Sequence, residues 1–200
     1  RDVAIKVSRV SDEEFVRRFR QEAQLAARLN HENIVRIYDY GEDEEGRPYI
    51  VQEFLDGTTL LSHLQMLQAP NIALGTRVRW LSEIAAGLAH AHKHQVLHRD
   101  IKPGNIRILT SGRAKLLDFG IAKLEYSHSN LTAAHELLGT MDYMAPELFD
   151  RRVKGPIDSR ADIWSFGVLA CETLVGRKPF RAENDVMLRF QILRGDAEIR

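Results

Sequence analysis

The run His98-Arg99-Asp100-Ile101-Lys102-Pro103-Gly104-Asn105 decides how this 200-residue chain is read. A segment so rich in Asp, Asn, Gly and Pro is a turn, and most such turns do nothing else. Strand-like pieces flank it at 95–97 and 106–109, and a third at 114–117 is set off from the second by a Ser111-Gly112 turn. Directly after the third piece comes Asp118-Phe119-Gly120. A bland turn therefore leaves Lys102 and Asp118 as unrelated coincidences.

Upstream, Val3, Ile5 and Val7 alternate with Ala4, Lys6 and Ser8, which predicts a strand with Lys6 on the face opposite the valines. Ser11 and Glu14 form a capping-box pair, and Phe15, Phe19, Glu22, Ala26 and Leu29 recur at helical spacing. Glu22 thus falls inside an apolar stripe, where an ionised carboxylate on its own would cost several kcal/mol. Lys6 is the nearest cation in sequence that also belongs to a strand read as buried, so the two are expected to pair. Segments 34–40 and 49–54 read as a hairpin across the turn-like 41–48. Downstream, 58–68 predicts a short helix, and a longer one follows carrying Val78, Leu81, Ala85 and Leu88 on one face. Residues 121–144 lack clear periodicity over a length at which structureless loops are functional. Residues 161–175 are apolar on nearly every side and close at Gly176, predicting a helix through the middle of a core.

Composition narrows the function classes. Lys plus Arg (28) balances Asp plus Glu (28), so no bulk field draws the chain to nucleic acid or an anionic membrane. A 44% hydrophobic and 28% charged composition is that of a globular chain with a real core. One cysteine, Cys171, excludes a disulfide framework or a Cys-rich zinc module and fits a reducing compartment. No apolar run reaches the 18 residues a spanning helix needs. A cytoplasmic location is expected, with any membrane anchor lying outside this segment.

Val3-Ala4-Ile5-Lys6, the 98–105 run, Asp118-Phe119-Gly120 and Ala145-Pro146-Glu147 occur in one order, with Gly139-Thr140 and Asp162 also in place. In this the chain resembles the eukaryotic-type protein kinases, most closely the serine/threonine kinases of bacteria. The resemblance covers essentially the whole chain. It implies an α+β, two-lobed protein-kinase-like fold: residues 1–55 as a partial small lobe and 56–200 as a partial, mainly helical large lobe. The glycine-rich phosphate loop and the last large-lobe helices, with an arginine that would pair with Glu147, are expected to lie outside the chain. On that account the 200 residues alone are expected to turn over poorly.

The resemblance implies ATP and Mg²⁺ as cofactors and transfer of the γ-phosphoryl group to a protein Ser or Thr hydroxyl. Phosphoryl transfer spreads charge over the phosphate oxygens, so it calls for cations, metal ligands and a group that orients the hydroxyl. Lys6, held by Glu22, would reach the α- and β-phosphates. Asn105 and Asp118 would hold the metal, being hard oxygen donors suited to magnesium. Asp100 would take the hydroxyl proton and Lys102 would face the transferring phosphate. Ala4, Gln52 as gatekeeper, Glu53, Leu55 and Arg107 would surround adenine. Arg107 departs from the apolar residue usual beneath the base, and its guanidinium must stack on the base or turn outward. Asp162 would accept backbone N–H groups of the 98–99 turn. Arg99, with no carboxylate assigned to it, would receive a phosphate on the 118–145 segment, first at Thr132 and then at Ser127 or Ser129, whereas phosphate on Thr140 would block the site.

Self-phosphorylation in trans is an expected partner interaction, and nucleic acid and membrane contacts are not. Two rivals remain: a pseudokinase that binds nucleotide or partners without turnover, suggested by Gln52 and Arg107, and a small-molecule kinase, which the Ala145-Pro146-Glu147 segment disfavours. His90 and His94 share a helix face, read as a polar helix end rather than a metal site. His98 reads as a packing residue and Cys171 as an inert buried thiol.

Overall fold

The computed structural model describes residues 2–8, 10, 12–66, 72–119, 141–149 and 157–197. Strands β1 (Val3–Val7), β2 (Ile37–Glu42) and β3 (Pro48–Glu53) form an antiparallel sheet in the order β1-β3-β2. β3 takes the centre because its alternate residues Pro48, Ile50 and Gln52 are buried. The hairpin forms, but β2 begins later than the apolar run suggests. Ile34 and Val35 are committed elsewhere: Ile34 bridges Leu116 in parallel, and the Val35 N–H donates to the Leu116 carbonyl at 2.8 Å. β1 forms as the alternation predicts, yet it is an edge, with Ile5 61% exposed. The reading of Lys6 as part of a buried strand is therefore corrected.

Helix α1 (Glu13–Ala27) lies against this sheet through Phe15, Phe19 and Ala23. Asp12 supplies the cap in place of the expected Ser11, which lies outside the described residues, and accepts the Phe15 N–H at 2.9 Å. Glu13 and Glu14 in the first turn suit the positive end of the helix dipole.

A second antiparallel sheet, in the order β4-β5-β6, comprises β4 (Gly57–Thr59), β5 (Ile106–Leu109) and β6 (Ala114–Leu116). The helix expected over 58–68 starts only at Leu60, because β-branched Thr58 and Thr59 pair with Ile108 and Arg107. Gly57 makes that pairing possible: at φ 150° a Cβ would stand 2.1 Å from the Ile108 carbonyl oxygen. Helix α2 (Leu60–Met66) follows, then α3 (Leu74–Lys93). Residues 95–97 are not a strand. The Val96 N–H turns back to the Ala91 carbonyl at 3.0 Å and closes the end of α3.

The main core packs α3, the second sheet, the end of α1 and helix α4 (Ser159–Val175) around Ile84, Ile106, Leu116 and Leu169, all fully buried. Each such side chain contributes roughly 1.5–3 kcal/mol. An exposed pair such as Arg18 with Glu14 adds about 0.3–0.5 kcal/mol, so the core dominates. α4 is less enclosed than its composition suggests, since Ile163 is 60% exposed. A smaller cluster joins α4 to helix α5 (Asp185–Arg194) through Val168, Phe180, Leu188 and Ile192. The fold is α+β, with a small sheet and one helix followed by a mainly helical part.

Candidate active site

The 98–105 turn is built on α4. Asp162, 1% exposed, accepts the N–H groups of His98 and Arg99, each at 2.8 Å, as the sequence led one to expect. His92 Nε2 adds a third contact at 2.7 Å, which the sequence reading missed. Burial pushes the Asp162 carboxyl up, but His92 and the two backbone donors outweigh it and hold the group below its ordinary value.

His98 is fully buried, its ring 4.6 Å from that of Phe119. Burial pushes its imidazole down, against the pull of nearby Asp162, Asp100 and Asp118. A base whose folded pKa lies below its unfolded value near 6.5 stabilises the fold above that pH and loses the contribution as pH falls through it. His63 and His90, also lowered by burial, act in the same window. Asp162 acts only in acid, because its contribution persists above 3.8. Urea unfolding should therefore show stability declining between pH 7.5 and 5.5, and the decline should shrink in His98→Tyr. A flat profile over that window would contradict the buried neutral imidazole.

On this support the carboxylates converge. Asp100, 6% exposed, accepts Asn105 Nδ2 at 2.7 Å and Lys102 Nζ at 2.9 Å, both on Oδ2. Asn105 Nδ2 also donates to the Asp100 carbonyl at 2.8 Å. A short 3₁₀ turn, Pro103–Asn105, with proline at its start, sets this spacing. The Asn105 amide nitrogen is thus used twice, and its oxygen and the Asp118 carboxylate are the hard donors that could hold a cation here. This donor set fits magnesium. Arg99 and Asp118 both adopt left-handed backbone, at φ 65° and 55°.

The expected pairing of Lys6 with Glu22 is not the one found. Lys6 Nζ pairs with the Asp118 carboxylate, and Glu22 accepts Arg99 Nη1 at 2.5 Å. Arg99 is thus not a cation awaiting a carboxylate, which corrects the second expectation as well. Sequence spacing identified a cation and an acid that each need a partner; the fold places a different partner nearer to each. Glu22 sits at the rim of the α1 stripe, half-buried, where it faces the 98–100 turn instead of the sheet edge.

Gln52, 8% exposed, lines a cavity of about 270 Å³ with Lys6, Phe19, Ile50, Asp118 and Phe119. Ala4 lies opposite Gln52 across β1 and β3. The Glu53 carboxylate pairs with Lys115 and accepts the Arg36 N–H at 2.8 Å, and the Leu55 carbonyl accepts Arg107 Nε at 3.3 Å. Lys115 escaped the sequence reading, which gave 114–117 only as a short strand-like piece. Thr132, Thr140, Ser127, Ser129 and Gly120 lie outside the described residues.

Farther off, the Tyr143 hydroxyl donates to Glu172 beside an Asp142–Lys178 pair. Burial pushes both the phenol and the Glu172 carboxyl up. Cys171 is half-buried instead of sealed, and burial raises its thiol, keeping it protonated. The His90 ring lies 4.4 Å from His94 and 5.0 Å from His31. Among the described residues no group of three His, Cys, Asp or Glu is arranged to hold a metal ion. Nor is any helix of the described residues long and apolar enough to cross a membrane.

An acid bonded to a lysine and an asparagine of its own turn, with a second acid beyond a short strand pair, is an arrangement that could serve phosphoryl transfer. The chain belongs to the protein kinase family: the protein kinase domain model matches residues 1–199. It is 39% identical over 201 residues to serine/threonine-protein kinase PrkC of Bacillus subtilis (strain 168), covering 98% of this chain and 30% of that protein. Over 206 residues it is 38% identical to serine/threonine-protein kinase PknB of Mycolicibacterium smegmatis, and over 205 residues 37% identical to PknB of Mycobacterium leprae. In both cases 98% of this chain and 32% of the relative are covered. The chain thus spans about a third of the length of these relatives. Membership of this family implies use of ATP.

Proposed function

We propose that the chain is the catalytic part of a serine/threonine protein kinase that transfers the γ-phosphoryl group of MgATP to a protein Ser or Thr hydroxyl. The observation that carries this reading is the Asp100–Lys102–Asn105 cluster with Asp118 beyond it. Residues 1–55 and 56–200 would be the two lobes, with nucleotide between the sheets.

Each residue then has a role its contacts support. Both side-chain contacts to Asp100 fall on Oδ2, so Oδ1 is the oxygen offered to the substrate hydroxyl, which it orients and whose proton it accepts. Lys102, already beside Asp100, would follow the phosphate being transferred. Asn105 and Asp118 would hold magnesium, which when bound offsets the negative charge of the phosphates. Lys6 would turn from Asp118 to the α- and β-phosphates. Ala4, Gln52, Glu53, Leu55 and Arg107 would bound the base. Glu22 and Arg99, which pair with each other, would act through the catalytic turn. A phosphate on Thr132 would compete with Glu22 for Arg99 and so regulate the site, whereas one on Thr140 would block it.

The test is ATP-dependent phosphate incorporation by the full-length protein into a generic basic protein, into itself and into an aminoglycoside. Transfer to Ser or Thr of the first two is expected. Transfer to the aminoglycoside alone would reassign the enzyme as a small-molecule kinase. Nucleotide binding with no transfer to any acceptor would make it a pseudokinase. For self-phosphorylation, mixing an Asp100→Asn protein with active protein should label the inactive copy; label confined to the active copy would remove the reaction in trans.

A further inference from the structure

Residues 53–56 join the two sheets, and contacts from both sheets hold them. The Glu53 N–H donates to the Arg36 carbonyl at 2.9 Å, and the Asp56 carbonyl accepts the Thr110 N–H at 3.1 Å. Two more come from side chains of the second sheet: Lys115 to the Glu53 carboxylate, and Arg107 to the Leu55 carbonyl.

Strand alternation explains why these two cations act together. Arg107 and Lys115 are direct neighbours across β5 and β6. Ile106, Ile108, Ala114 and Leu116 point into the core, so Arg107 and Lys115 point out of the opposite face, toward residues 53–55. The Lys115–Glu53 pair is not an ordinary surface contact: its side chains are only 16% and 19% exposed, and the carboxylate is also bonded to a backbone N–H. Screening by salt is therefore weak, and the carboxylate has a fixed position.

We infer that Lys115 and Arg107 are positioning residues for the nucleotide base, clasping residues 53–55 to the second sheet so that the backbone groups facing the cleft are in place before nucleotide arrives. This rests on the kinase reading of the cleft. Preorganisation of this kind lowers the cost of binding without touching the reacting atoms. The catalytic turn is held independently by Asp162, so loosening the clasp should weaken nucleotide binding and leave the chemical step alone.

The experiment has two readouts on the full-length protein. Without nucleotide, hydrogen exchange at the Thr110 and Glu53 amides should accelerate in Lys115→Met and in Arg107→Leu. In steady-state assays Lys115→Met, which alters no residue assigned to the base itself, should raise KM for MgATP roughly fivefold, the scale of one such contact, with kcat nearly unchanged. Lys115→Arg, which keeps the charge, should restore both readouts. A merely structural role would lower kcat and KM effects together through loss of folded protein, and Lys115→Arg would show no selective recovery of KM. Unchanged exchange would overturn the clasp. Faster exchange with unchanged or lower KM would overturn its role toward the base. A wild-type protein that binds no MgATP would overturn the kinase reading of the cleft, whatever the exchange result.

Discussion

Asp100→Asn should lower phosphotransfer by about 10²–10⁴-fold, the range for loss of a positioned general base, while nucleotide affinity stays nearly the same. The asymmetry follows from the contacts. Asn105 Nδ2 and Lys102 Nζ both meet Asp100 through Oδ2, and an amide oxygen at that position can still accept from them. The turn should therefore keep its shape, supported from beneath by Asp162. What is lost is the negative charge and the basic oxygen offered to the hydroxyl. Single-turnover phosphate transfer alongside equilibrium binding of MgATP separates these effects. Undiminished turnover in the variant would remove Asp100 from its role and the enzyme assignment with it.

Lys6→Ala should be nearly as damaging to turnover, about 10²-fold or more, since it removes a cation from the charge developing on the phosphates. The more discriminating measurement is the pattern of couplings. In the structure Lys6 meets Asp118 and Glu22 meets Arg99. Double-mutant cycles on unfolding should give about 0.5–3 kcal/mol of coupling between Glu22 and Arg99, the range for residues in contact, and almost none between Lys6 and Glu22. In turnover, Lys6→Ala with Asp118→Asn should cost far less than the product of the single losses, because both act on the same phosphates. A strong Lys6–Glu22 coupling without ligand would show that the resting protein already carries the pairing first expected from its sequence.

Why that pairing was misread, while the catalytic turn was not, is a matter of distance along the chain. Asp100, Lys102 and Asn105 lie within six residues, so local backbone geometry alone brings them together. Asp162 was also legible: a carboxylate in an apolar helix needs donors, and the family resemblance pointed to the N–H groups of the 98–99 turn as their source. Lys6, Glu22, Arg99 and Asp118 come from four separate elements, and which of two acids each cation meets depends on how those elements dock. The same holds for Lys115 and His92, whose partners are 62 and 70 residues away. Local competition blurred element edges too: Ile34 and Val35 carry strand chemistry but pair with Leu116 instead of extending β2.

The left-handed backbone at Arg99 and Asp118 carries one further consequence. Non-glycine residues there sit above their conformational minimum by about 1–2 kcal/mol each, and glycine would remove that strain. A library screened only for heat resistance should accordingly enrich Gly at 118, where only a pair with the exposed Lys6 is lost, but not at 99, where Gly would also forfeit the contact with Glu22. If Asp118 holds the metal as proposed, that position is where durability and catalysis pull the same chain in opposite directions, and any effort to harden this protein has to leave it alone.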